Sequence, residues 1–180
     1  MWVRYYRAAL AAQERSARRA ARRIVKRAAL PALAAAAALA AAADRQLSRL
    51  EALPHLTGVV CHSDLHRLNV LEYRPPRARA KALLLLDWEY AHVAEPFWDL
   101  AGWSANNDFR DELLRRLLAA YLGRAPDQAD WMRCKLLGWL YDYVCLLWSE
   151  LYLNSRHAGA ESAVEQRAAV LQARLTARRI

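Results

Sequence analysis

The sequence predicts a mainly α fold with a small β-hairpin at its centre. Three observations carry this. Long flanking stretches place apolar residues at helical spacing. The middle of the chain turns to short apolar, β-branched runs. A turn-rich, charged loop, "RPPRARAK", joins two of those runs.

In order, residues 2–28 read as a helix, with Val3, Tyr6, Leu10 and Ala11 at helical spacing among alanine and arginine. Pro31 breaks or restarts it. A second helix is expected from about Ala32 to Leu53, with Leu33, Leu39, Leu47 and Leu50 as core positions and Pro54 as its stop. "LTGVVCH" then suits a buried strand, and "NVLEY" and "ALLLLDW" are two more such runs, the last two forming a hairpin whose second strand ends at Asp87. After Pro96 the pattern is helical again: a short helix in "FWDLAGWSA", an amphipathic one from Arg110 to Leu122 ending before Gly123, a long apolar one from Asp127 to Asn154, and a polar-faced closing helix from Ala160 to Ala177. The chain of 180 residues suits one domain, 1–180: a helical lead-in over 1–55, a β-containing middle over 56–103 and a helical region over 104–180.

The net charge of +9 comes mostly from arginine; Lys26, Lys81 and Lys135 are the whole lysine set. Such a balance permits anionic partners without selecting among them. The basic cluster Arg15, Arg18, Arg19, Arg22, Arg23 and Arg27 reads as a solvated helix face, since no base-reading motif or stacking platform accompanies it, and nucleic acid is not an expected partner. Cys61, Cys134 and Cys145 show neither CxxC pairing nor zinc spacing, which suits a reducing compartment. The start of the chain lacks a secretory pattern, and the alanine tract from Ala32 to Ala43 is shorter than the ~20 residues a membrane span needs. A soluble cytoplasmic protein without a membrane partner is the expectation.

The stretch "CHSDLHRLN" follows the first strand, and Asp87 ends the hairpin. A tight loop and a hairpin can bring Asp64, Asn69 and Asp87 to one end of the β element. Carboxylate and amide oxygens are what a hard cation such as Mg²⁺ requires, and a further carboxylate can take a proton from a hydroxyl. Singly, each of these residues reads as a cap or turn former; together, in this register, they read as a site.

The register His62-x-Asp64-x-x-x-x-Asn69, then Asp87-Trp88-Glu89-Tyr90-Ala91, then Pro96-Phe97-Trp98-Asp99-Leu100-Ala101, resembles the catalytic and metal loops of the aminoglycoside phosphotransferase and choline kinase group, nearer its choline, ethanolamine and thiamine kinase side. The resemblance is close over about Val59 to Trp103. It implies a protein-kinase-like C-terminal lobe and an ATP-dependent O-phosphotransferase. Asp64 would be the catalytic base, Asn69 and Asp87 would hold Mg²⁺ against ATP, and His62 and Asp99 would brace the loop. Glu89 would serve the substrate or a metal shell, a surface salt bridge being the other reading. Arg67 and Leu68 stand where many relatives carry proline and glycine. His66 and His92 read as solvent-facing loop residues.

The group's N-terminal nucleotide lobe, with its strand lysine and glycine loop, is not recognisable here: Lys26 falls in a helical pattern and only Gly58 precedes the loop. The expectation is a truncated chain whose parent carries that lobe; an inactive pseudokinase-like lobe or an arginine-rich nucleic-acid-binding module is the alternative. Trp131, Trp139, Tyr141, Tyr143, Trp148 and Tyr152 read as core, unless some line an acceptor site. In that case Trp148 would face a cation, with Asp142 and Glu150 supplying negative charge. The expected acceptor is then a small amino alcohol or cation such as choline, ethanolamine or thiamine, with an aminoglycoside as the alternative.

Overall fold

The computed structural model describes residues 29–76, 79–154 and 161–178. The helix expected over 2–28, with its arginine cluster and Lys26, lies outside them. The elements run α1 (Ala29–Glu51), β1 (Val59–Cys61), a 3-10 turn (Arg67–Asn69), β2 (Val70–Tyr73), β3 (Ala82–Leu85), β4 (His92–Ala94), α2 (Trp98–Asn106), α3 (Asp111–Leu122), α4 (Gln128–Asn154) and α5 (Glu161–Ala177). This is a mostly helical chain with a small antiparallel component. Pro31 lies in the first described turn of α1, and the helix it is expected to break or restart lies outside the described residues. No helix among the described residues is long and apolar enough to cross a membrane.

Two compact units emerge, Leu50–Tyr141 and a second that joins Met1–Arg49 to Asp142–Ile180. The Leu50–Tyr141 unit holds all four strands. They form two separate two-stranded sheets, where the sequence suggested a single hairpin. The expected hairpin is present, with Val70 opposite Leu85 and Tyr73 opposite Ala82. The additional pair joins β1 to β4, with Val59 opposite Ala94 and Cys61 opposite His92. Strand β4 is only three residues long, too short for a periodic signal.

The strands are also less buried than their apolar runs suggest. Val60 and Val93 face each other and are each 68% exposed, and Leu71, Leu83 and Leu84 are exposed as well. A two-stranded ribbon has no third strand beside it, so its hydrophobic residues need not be covered within these residues. The core of the unit lies instead among the helices, with Phe97, Ala101, Leu118, Leu136 and Trp139 buried. Helix α2 approaches α4 closely: a Cβ at Gly102 would fall 2.6 Å from a ring carbon of Tyr141. Trp98 packs its ring on the same tyrosine at 5.5 Å between centroids.

The helix ends carry the expected chemistry. Gly123 (φ 67°) takes the left-handed conformation that closes α3. Helix α4 opens on a reciprocal capping box. Asp130 N–H donates to Asp127 Oδ1 at 2.9 Å, and Asp127 N–H donates to Asp130 Oδ2 at 3.0 Å. Within the other unit, Leu39, Ala43, Tyr143, Leu146 and Leu171 are buried, as the apolar circumference of the long segment suggested.

Candidate active site

The loop after β1 is built by one carboxylate and one imidazole. Asp99, in the first turn of α2, accepts the backbone N–H of His62 at 2.7 Å and of Ser63 at 2.8 Å, one on each oxygen. A carboxylate that accepts from two successive amides fixes the chain direction where the loop begins. The His62 ring is 1% exposed and uses both nitrogens. Its Nδ1 accepts from Asp64 N–H at 3.3 Å, so the ring proton lies on Nε2, which donates to Leu86 O at 2.6 Å. The Trp88 ring lies against it at 4.8 Å between centroids.

Asn69, buried at the end of the 3-10 turn, is tied to Asp64 twice. Its Nδ2 donates to the Asp64 carbonyl at 3.0 Å and to Asp64 Oδ2 at 3.3 Å. With Nδ2 so engaged, the amide's Oδ1 is directed away from Asp64. Leu86 joins Asp87 to this group. Its N–H donates to Asn69 O at 2.9 Å while its carbonyl accepts from His62. Both backbone groups of the residue before Asp87 are therefore bound to the loop that carries Asp64 and Asn69.

Two non-glycine residues at the site have positive φ: Ser63 (70°) and Asp87 (61°). Such conformations cost of order 1 kcal/mol and cluster where the surrounding structure enforces them. At Ser63 the enforcement is visible. Its N–H is held by Asp99, and its Oγ lies 3.0 Å from His92 Nδ1, which also lies 3.0 Å from Tyr90 O. His92 is thus a half-buried strand residue bonded to the loop, not the solvent-facing one its polarity suggested. His66 is half-buried too: its Nδ1 accepts from Leu68 N–H at 3.2 Å and caps the 3-10 turn. Neither role leaves a trace in the sequence, since each depends on a partner supplied by backbone geometry. Just upstream, burial and then the nearby Asp99 charge push the Cys61 thiol up to about 11.

Among the described residues, no three His, Cys, Asp or Glu side chains gather as a metal set. The candidate donors for a cation are therefore one amide oxygen, Asn69 Oδ1, and the exposed Asp87 carboxylate. Both are hard oxygen ligands, and Mg²⁺ completes its shell with waters and substrate phosphates, so the pair fits that ion. Glu89 is exposed on the turn before β4. Trp148 and Asp142 belong to the other unit. Trp148 stacks on Tyr152 with centroids 5.3 Å apart and stays part-exposed. Asp142, expected to offer charge to a cationic substrate, is 1% exposed and answered on both oxygens. Arg174 lies at 2.5 Å and Arg178 at 2.7 Å, so its charge is spent between α4 and α5.

The chain resembles known proteins in the same sense. It is 39% identical over 77 residues to the viomycin phosphotransferase of Streptomyces vinaceus, a match that covers 43% of this chain and 26% of that protein. The fold is similar to that of a solved choline/ethanolamine kinase family protein from Mesorhizobium loti. The TM-score is 0.66 at 20% sequence identity, covering 96% of this chain and 55% of the other. The chain therefore spans about half of the solved relative and about a quarter of the curated one. The family model described as "Phosphotransferase enzyme family" matches residues 4–137, well over half of the sequence, and the chain belongs to that family.

Proposed function

We propose that the chain carries the phosphoryl-transfer site of a cytoplasmic, ATP-dependent O-phosphotransferase acting on a small molecule. The observation that carries this reading is the tether joining Asp64, Asn69 and Leu86, the residue before Asp87, through bonds made by His62, Asn69 and the Leu86 backbone. Asp64 orients the acceptor hydroxyl and takes its proton as the oxygen attacks the γ-phosphorus and the bond to the ADP oxygen breaks. Asn69 Oδ1 and Asp87 would hold Mg²⁺, which when bound supplies charge neutralisation on the phosphate oxygens. His62 and Asp99 keep the loop in place without touching substrate.

For the acceptor we favour a small amino alcohol or cation such as choline, ethanolamine or thiamine, which fits the "DWEYA" register and the similarity to a choline/ethanolamine kinase family fold. Glu89 is the candidate substrate contact in the unit that holds Asp64, and Trp148 that of the other unit. An antibiotic acceptor is the second reading, favoured by the viomycin phosphotransferase relative. In either case the nucleotide contacts are completed by an N-terminal lobe in the parent protein. ADP release by the full-length parent protein with Mg·ATP and a panel of choline, ethanolamine, thiamine, viomycin and an aminoglycoside separates the two. Turnover of a neutral sugar alone would overturn both. Titration of this chain with Mg·ATP tests the role of the second lobe: micromolar affinity, about −8 kcal/mol, would show that none is needed.

A further inference from the structure

His66 has two jobs available to it, and only one of them is capping. Its Nδ1 accepts from Leu68 N–H, a group that can only donate. The ring must then carry its proton on Nε2. That nitrogen lies 3.5 Å from Asp64 Oδ2, the same oxygen that receives Asn69 Nδ2 at 3.3 Å. One N–H donates to this oxygen and the His66 ring nitrogen lies near it, while among the described residues nothing donates to the other oxygen of Asp64.

We propose that His66 is a positioning residue that, with Asn69, pins Asp64 Oδ2 so that Oδ1 alone receives the acceptor proton. The inference rests on the phosphotransferase reading above. A carboxylate free to rotate about its Cβ–Cγ bond presents either oxygen at varying angles; one held through Oδ2 presents Oδ1 in a single direction. Fixing that direction matters because displacement at phosphorus requires the attacking oxygen in line with the leaving one. At 3.5 Å the contact is long for a hydrogen bond, as such contacts often are before substrate arrives. Closure onto Oδ2 with substrate bound would strengthen it.

Two substitutions separate capping from positioning. In His66→Asn the side-chain oxygen still caps Leu68 N–H, but the chain is too short to reach Asp64. In His66→Gln the longer amide regains a donor for Asp64. In the full-length parent protein, with Mg·ATP and the acceptor panel above, H66N is expected to lower kcat roughly 10- to 100-fold with little change in acceptor KM. Its melting temperature should stay within about 2 °C. H66Q should recover part of the lost kcat. A wild-type kcat in H66N overturns the proposal, as does a kcat loss in H66N that H66Q does not reduce at all. Long-range ¹H–¹⁵N spectra of the ¹⁵N-labelled full chain supply a readout independent of turnover, with the His66 ring identified by its disappearance in H66N. A ring proton on Nε2 supports the placement, and one on Nδ1 overturns it. If the full-length parent protein phosphorylates no acceptor on the panel, the function reading fails, and the ring spectrum still decides the placement of His66.

Discussion

Asp64 and Asp142 are both aspartates held by N–H donors, yet their surroundings assign them opposite work. Asp142 is buried, and each of its oxygens meets a guanidinium. Its charge is cancelled on the spot, and removing it would leave cations without their counter-charge. Asp64 is about one-third exposed; the Asn69 amide donates to one of its oxygens, and the His66 ring nitrogen lies 3.5 Å from the same oxygen. Half of its acceptor capacity stays open. The difference shows that hydrogen-bond donors near a carboxylate say little by themselves. What matters is whether they use up both oxygens and whether they bring positive charge.

The largest expected effect comes from Asp64→Asn. It should cut the Mg·ATP-dependent transfer rate by about 10²- to 10⁴-fold, the usual worth of a general base. The melting temperature, followed by circular dichroism, should barely move. Near-normal turnover would remove the chemical half of the comparison. Asp142→Ala should behave in the reverse manner, losing about 3 kcal/mol as Arg174 and Arg178 lose their shared partner. At this chain length that is roughly a 6–12 °C drop in melting temperature. A large loss of activity at unchanged stability would instead give Asp142 a place in the chemistry.

A smaller effect is expected at Ser63, where the comparison can be sharpened without touching a carboxylate. Alanine and glycine both lose the Oγ contact with His92, but only alanine keeps a Cβ at φ 70°. Chemical denaturation should find Ser63→Gly more stable than Ser63→Ala by about 1 kcal/mol. Equal stabilities would mean that the loop relaxes rather than being enforced by Asp99.

The smallest effect concerns the thiols, which again divide between the two units. Burial holds Cys61 at about 11 and pushes Cys134 to about 12, whereas Cys145 in the other unit is part-exposed. The folded forms of Cys61 and Cys134 keep their protons at pH values where the unfolded chain ionises. Their contribution to stability is therefore intact below about pH 9 and falls as pH rises from about 9 towards 11 and 12. Urea unfolding at pH 8 and pH 10.5 should show the loss, and a variant with both residues changed to alanine should show less of it. At pH 8 an alkylating reagent should label Cys145 first. Early labelling of Cys61 would contradict its burial.

Most helices could be read directly, because each has a local cause. The apolar repeat, Pro54 and Gly123 mark α1 to α4 within a few residues. The hairpin was legible from its two apolar runs and the charged loop between them. Strand β4 was not, since its three residues carry no period and its pairing with β1 spans some thirty residues. The motif spacing singled out Asp64, Asn69 and Asp87 as a set, because side-chain type at fixed intervals is a local property. The tasks found for His66, His92 and Asp142 had no such signature. A histidine that caps a turn, one that meets a serine across a strand, and an aspartate cancelled by two arginines look alike in a linear string.

The sequence by itself determined the helical character, the hairpin, the family and the residue types that make up the candidate site. Only the tertiary structure decided which carboxylate is already neutralised, which oxygen of Asp64 is held, and that the surplus apolar strand residues stand exposed. The physical reason is range. Propensity and motif spacing act within a few residues, whereas the fate of a charge or a lone pair depends on partners that the folded chain brings from dozens of positions away.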